Sequence, residues 1–333
     1  LDIAIVFFYL LGLNGILNRQ KISIFISVVL LSLLSLRGIV LSASLFLTHL
    51  ILFFPKTKTS SKEILRISVL YIVSGLIALG WYLYHYTQTG WMFFTPSASW
   101  SAHRGTVGFP GALKNIAIIV RNLLDFGRIA LWVAIVLLFV ITIRQFRTIK
   151  QFPATLKKTT IIICVPLVVQ SLSFIPFSNA IGHRYFMIVY LLAVALFFNL
   201  LKHSMPFISV KTGKTAIAGV MLFFLSGHFW VYPDKIAKGW DSSLAHLPYF
   251  DLRDKMMSYI EKKQWDKTSI GSEFPMLTPY SITRLQGDSV SLQQKNLKRH
   301  RRIIYSNVCN DFTEQEIDSL KQWEKVMSFR KGQ

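Results

Sequence analysis

Residues 22–54 read ISIFISVVLLSLLSLRGIVLSASLFLTHLILFF, a run of 33 residues whose one charged side chain is Arg37, near the middle. At about 1.5 Å per residue, one helix of that length would reach about 50 Å, far beyond the roughly 30 Å hydrocarbon core of a bilayer. Two apolar helices joined by a tight hairpin at Arg37-Gly38 keep the guanidinium at the membrane interface. A single tilted helix would bury it. The expected fold class is therefore mainly α: a polytopic transmembrane helix bundle followed by a small soluble α/β domain.

Composition points the same way. Of 333 residues, 52% are apolar and only 16% charged, against about 25% charged in soluble chains. Aromatics reach 14%, with 26 Phe, and the mean hydropathy is +0.44. Such a chain lacks the charge to cover a soluble surface, and a disordered or collagenous chain is excluded. Apolar runs at Ile3–Leu17, Ile22–Leu36, Ile39–Phe54, Ile67–Tyr84, Ile129–Ile143, Thr160–Pro176, Tyr185–Leu201 and Thr215–Val231 give about eight spans. Several are short enough to need flanking Arg or Lys that snorkel. The chain opens at Leu1 without the basic segment of a signal peptide, so it is expected to be a fragment starting at the mouth of a helix.

The net charge of +21 would suggest nucleic acid in a soluble protein. Its distribution argues otherwise. Residues 1–232 carry 20 Lys/Arg against 3 acids (Asp2, Glu63 and Asp125), whereas residues 233–333 carry 17 against 13. The two stretches are expected to be a transmembrane bundle and a soluble domain. Fourteen basic residues cluster in the short loops around Arg19/Lys21, Lys56–Arg66, Arg144–Lys158 and Lys202–Lys214. The excess of positive charge in cytoplasmic loops makes that side cytoplasmic. Arg37, Arg104, Lys114, Arg121, Arg128 and Arg184 then fall on the outer side with loop 85–127 and the C-terminal domain, as expected for a bacterial inner membrane protein. Within that loop, Lys114, Arg121 and Asp125 share a helical stripe, with Ile116, Ile119, Val120 and Leu123 facing away. This suits a helix lying in the interface or one packed on the bundle.

The C-terminal stretch predicts a helix over Tyr249–Lys263, strands at Thr268–Ser272, Arg302–Asn307 and Lys325–Phe329, and a helix opened by a capping box of Thr313 and Glu316. Motifs of soluble nucleotide, zinc-protease and serine-hydrolase sites are missing, as is Cys/His spacing for zinc. The two cysteines, Cys164 and Cys309, form no disulfide framework. What remains is a set of ionisable groups near the outer mouth: Asp2, Arg37, His85, His103, Arg104, His183 and Arg184. Arg offers forked donors matched to phosphate oxygens, so Arg37, Arg104 and Arg184, with His103 and His183, are candidates to hold a lipid phosphate. Trp81, Tyr82 and Trp91 belong to an aromatic cluster at the same level, read either as an interfacial belt or as a wall for a sugar or lipid tail.

These residues resemble, in order, the motifs of polytopic glycosyltransferases of the GT-C class, which include protein O-mannosyltransferases and bacterial aminoarabinose transferases acting on lipid A. The family's acidic residue opening a Phe-rich helix is matched by Leu1-Asp2-Ile-Ala-Ile-Val-Phe-Phe8, and its Leu-Ser/Thr-Lys-Gly element by Leu34-Ser-Leu-Arg37-Gly38, with Arg for Lys. Trp81-Tyr82, Gly90 and Arg104, then His183-Arg184-Tyr185-Phe186, follow in the same sequence. The resemblance covers roughly residues 1–200. It implies a polyprenyl-phosphate sugar as donor, inverting transfer to a lipid, glycan or protein acceptor on the outer face, and Arg37, Arg104 and Arg184 on the carrier phosphate. Asp2 would be a secondary acidic group. It implies no certain cofactor, though a divalent metal is compatible with it. The family's main catalytic carboxylate lies in an outer loop upstream of the Asp2-like position, a loop this chain does not contain. A multi-pass transporter or a non-catalytic membrane scaffold is the alternative.

Overall fold

The computed structural model describes residues 1–53, 61–93, 105–146, 151–178, 181–230, 247–283, 289–308 and 312–330. The chain divides into two compact units, Leu1–Phe224 and Leu225–Gln333.

The first unit is helical. Its elements are α1 (Asp2–Leu17), α2 (Lys21–Leu34), α3 (Leu36–Phe53), α4 (Ser61–Thr89), α5 (Phe109–Leu124), α6 (Arg128–Phe146), α7 (Ala154–Phe174), a 3-10 turn (His183–Phe186) that runs into α8 (Met187–Ser204), and α9 (Val210–Ser226). Among the described residues, five helical segments are long and apolar enough to cross a membrane: Leu36–Phe53, Lys62–Thr89, Arg128–Phe146, Ala154–Phe174 and His183–Ser204. Asp2–Leu17 and Lys21–Leu34 are shorter apolar helices. At about 1.5 Å per residue the latter two fall below the hydrocarbon thickness, so the apolar runs at both positions are helices of less than full spanning length.

The 33-residue run is interrupted as its length requires, but by a single residue. Ser35 is extended between α2 and α3, and its Oγ accepts from the Gly38 N–H at 3.1 Å, satisfying a free donor of the first turn of α3. Arg37 consequently stands in that first turn rather than at the tip of a loop. Gly38 permits the hairpin: a Cβ there would lie 1.8 Å from the Leu31 carbonyl oxygen. The core is formed by Tyr9, Ile16, Leu31, Leu41, Leu45, Leu156, Ile188 and Leu200, all essentially buried. α1 packs on α2, α3 on α7, and α6 and α7 on α8. Large apolar side chains cover the outward surface, among them Ile72, Leu76, Val136, Leu137 and Leu222, as in a helix whose solvent is lipid.

Helix α5 departs from the stripe expected of it. Its buried edge is Asn115, Ile119 and Asn122. Asn115 Nδ2 donates to the carbonyls of Phe174, Ile175 and Phe177, and Asn122 Nδ2 to that of Ile181. Phe109, Leu113, Ile116 and Val120 are exposed. The helix thus packs on the bundle through these asparagines and through Ile119 and Leu123, which join an apolar cluster with Phe174, Phe186 and Val189, while Ile116 and Val120 face outward.

The second unit holds α10 (Leu247–Lys262), β1 (Ile270–Ser272), α11 (Tyr280–Thr283), β2 (Gln293–Gln294), β3 (Arg302–Ile303) and α12 (Glu314–Leu320). The three strands form a parallel sheet in the order β2-β1-β3, with Gly271 opposite Gln293 and Ile303. Its core includes Tyr249, Met257, Ile260, Ile270 and Leu292. The capping box of Thr313 and Glu316 is present. One expected strand is corrected: Lys325–Phe329 is irregular, with Val326 and Met327 exposed. Phe329 finds its contact through its ring, edge-on to Tyr259, and among the described residues no strand pairs with its backbone. β2, which the sequence pattern does not announce, takes the place in the sheet.

Candidate functional site

Three separate helix starts build one charged cradle. Asp2 lies in the first turn of α1, where the helix dipole favours a carboxylate. Arg37 lies in the first turn of α3, and Arg184 in the 3-10 turn ahead of α8. Arg37 Nη2 donates to Asp2 Oδ1 at 2.7 Å, and Arg184 Nε stands 3.7 Å from Asp2 Oδ2. The Arg37 guanidinium also lies over the Tyr185 ring, 4.1 Å from its centroid, which limits the rotamers open to it. Asp2 and Arg37 are each about one-fifth exposed at the side chain, and Arg184 about two-fifths. Two guanidiniums share one carboxylate, so the cradle carries a net positive charge at a partly open position. A cavity of about 10 Å³ sits within it, lined by Asp2, Arg37, Leu41, Gln170, Arg184 and Tyr185.

The other expected residues go elsewhere. His183, adjacent to Arg184, turns away from the cradle and is buried against Asp125, with Nε2 3.0 Å from Asp125 Oδ2. Asp125 also accepts from the Phe126 N–H at 2.8 Å and lies 3.7 Å from Arg121 Nε. Arg128 completes this region, stacked 4.0 Å from the Tyr190 ring centroid and donating to the Asn122 carbonyl. This cluster clasps the end of α5 to the turn before α8. Trp81 is half exposed and tilts against Tyr84. Tyr82 donates its hydroxyl to the Ser32 carbonyl at 2.8 Å, tying α4 to α2, and its ring meets Phe93. Trp91 packs edge-on against His85. None of the three aromatics lines the cavity. His103 and Arg104 lie outside the described residues.

Among the described residues, no group of three or more His, Cys, Asp or Glu is placed to hold a metal ion. Asp2 stands between two guanidiniums, a setting that opposes a cation. Two polar cavity residues, Gln170 and Tyr185, are not among the expected site residues. Gln170 is the one amide in the otherwise apolar run IIICVPLVVQSLSF, residues 161–174, and that isolation was the available signal.

Compared with family models, curated proteins and solved structures, the chain shows no match.

Proposed function

We propose that this chain is part of a GT-C-like integral membrane glycosyltransferase that takes a sugar from a polyprenyl-phosphate carrier and transfers it, with inversion, to a lipid, glycan or protein acceptor on the outer face of the membrane. The observation that carries the reading is the convergence of Arg37 and Arg184, far apart in sequence, on the single carboxylate of Asp2. A lipid phosphate entering the cradle would exchange for that carboxylate, since forked guanidinium donors serve either anion. As the sugar departs, charge grows on the phosphate and the same donors stabilise it. Tyr185 holds Arg37 in place for this role.

In this reading the five long apolar helices, with α1, α2 and α9, make eight crossings of a bacterial inner membrane. The shorter ones are completed by snorkelling residues such as Arg19 and Lys21. The basic loops face the cytoplasm, and residues 233–333 form an extracytoplasmic domain. The test is transfer from radiolabelled polyprenyl-phosphate sugars by the full-length protein in membranes. Sugar-dependent labelling of an acceptor is expected. Movement of the intact carrier across the bilayer without bond cleavage would instead indicate a transporter.

A further inference from the structure

Gln170 Oε1 is a buried side-chain acceptor without a hydrogen-bond partner, and its residue lines the cradle cavity. Gln170 is 1% exposed. Its amide orientation is settled by its neighbour: Nε2 donates to the Tyr185 carbonyl at 3.1 Å, and the flipped amide would set two carbonyl oxygens against each other. Oε1 is therefore a desolvated acceptor without a donor, an unfavourable state that a donor on a ligand would relieve. The guanidiniums nearby are donors and are engaged with Asp2 and Tyr185. The cavity, about 10 Å³, has room for about one oxygen-sized group.

From this we infer that Gln170 is a specificity-determining residue that accepts a hydrogen bond from a ligand hydroxyl while Arg37 and Arg184 hold the ligand's phosphate. The inference rests on the cradle being a phosphate site, as proposed above, and it narrows the ligand. The sugar-free carrier, a polyprenyl phosphomonoester, carries no hydroxyl on carbon beside its phosphate. A phosphoglycoside has one on the carbon next to the phosphate-bearing carbon, within the short reach a cavity adjoining the guanidiniums demands. A buried acceptor built for a hydroxyl rejects the analogue that lacks it, because the acceptor is then left unpaired.

The test is binding of decyl phosphoryl glucose and its 2-deoxy analogue to the purified full chain in nanodiscs by calorimetry. The wild type should prefer the hydroxyl-bearing ligand by about 10- to 100-fold. Gln170→Met should lose that preference. Gln170→Asn, which keeps an amide but withdraws the acceptor by one methylene, should lose the preference as well and serves if Gln170→Met does not fold. Equal wild-type affinities, or a preference that survives Gln170→Met, would overturn the role of Gln170. If Arg37→Ala still weakened both ligands in that case, the phosphate cradle would stand without it. Binding of neither ligand would overturn both.

Discussion

Two carboxylates in the first unit, Asp2 and Asp125, are both held by basic groups, and those groups include neighbours in sequence, Arg184 and His183. Asp125 is 5% exposed and takes its hydrogen bonds from a backbone N–H and a buried imidazole. Asp2 is partly open, is shared by two guanidiniums and borders a cavity. The chemistry of the pairs is alike, but the surroundings assign opposite roles. A buried pair is a clasp, because removing one partner strands a charge in a poor solvent. A partly exposed carboxylate with two competing cations can exchange for another anion at small cost to the fold.

Variants at the two carboxylates and their partners can break this contrast. The largest expected effect is on function: Arg37→Ala should lower sugar transfer about 100-fold, the loss of a charged hydrogen bond, with little change in melting temperature. Wild-type transfer rates would remove the cradle from the chemistry. Next, Asp125→Ala should destabilise the unit by about 3 kcal/mol, read as thermal unfolding in detergent, whereas Asp2→Ala should cost no more than about 1 kcal/mol. Equal losses would erase the distinction between site and clasp. Gly38→Ala, which drives a methyl into the Leu31 carbonyl, should cost about 1–3 kcal/mol and lower transfer as well, since Arg37 is its neighbour.

The smallest effect extends the contrast to the second unit, where Glu316 lies 2.9 Å from Lys295. Partial burial by itself would raise the Glu316 pKa, but the Thr313 N–H and Lys295 outweigh it and hold the carboxyl below its ordinary value. A carboxylate depressed on folding stabilises the fold above its unfolded pKa, and that contribution is lost as pH falls through the folded value. Hydrogen exchange along α12 should therefore accelerate below the usual carboxylate range, and Lys295→Ala should move the onset to higher pH. An exchange rate indifferent to pH there would remove Glu316 from the stability of α12.

Much of this was readable from residue order. Run length and the impossibility of burying Arg37 dictated a break near the middle of residues 22–54, and Thr313 with Glu316 announced α12, because both depend on neighbours in the chain. Asp2, Arg37 and Arg184 were recognisable as charged groups at helix mouths. The Lys325–Phe329 strand was misjudged because a strand needs a partner strand, which local pattern does not supply. The asparagines on the buried edge of α5 were not legible because the carbonyls they bond follow α7, distant in the chain.

Local hydropathy and charge place the apolar helices along the chain and single out side chains with no place in lipid, but not the helix ends, since α4 runs over Ser61–Thr89 where the apolar run is Ile67–Tyr84. Only the tertiary structure decided that Arg184 joins Asp2 while His183, one residue before it, joins Asp125, and that Gln170 keeps a buried acceptor without a donor. Consecutive residues in a tight turn point in different directions, and what each one meets is set by helices distant in the chain.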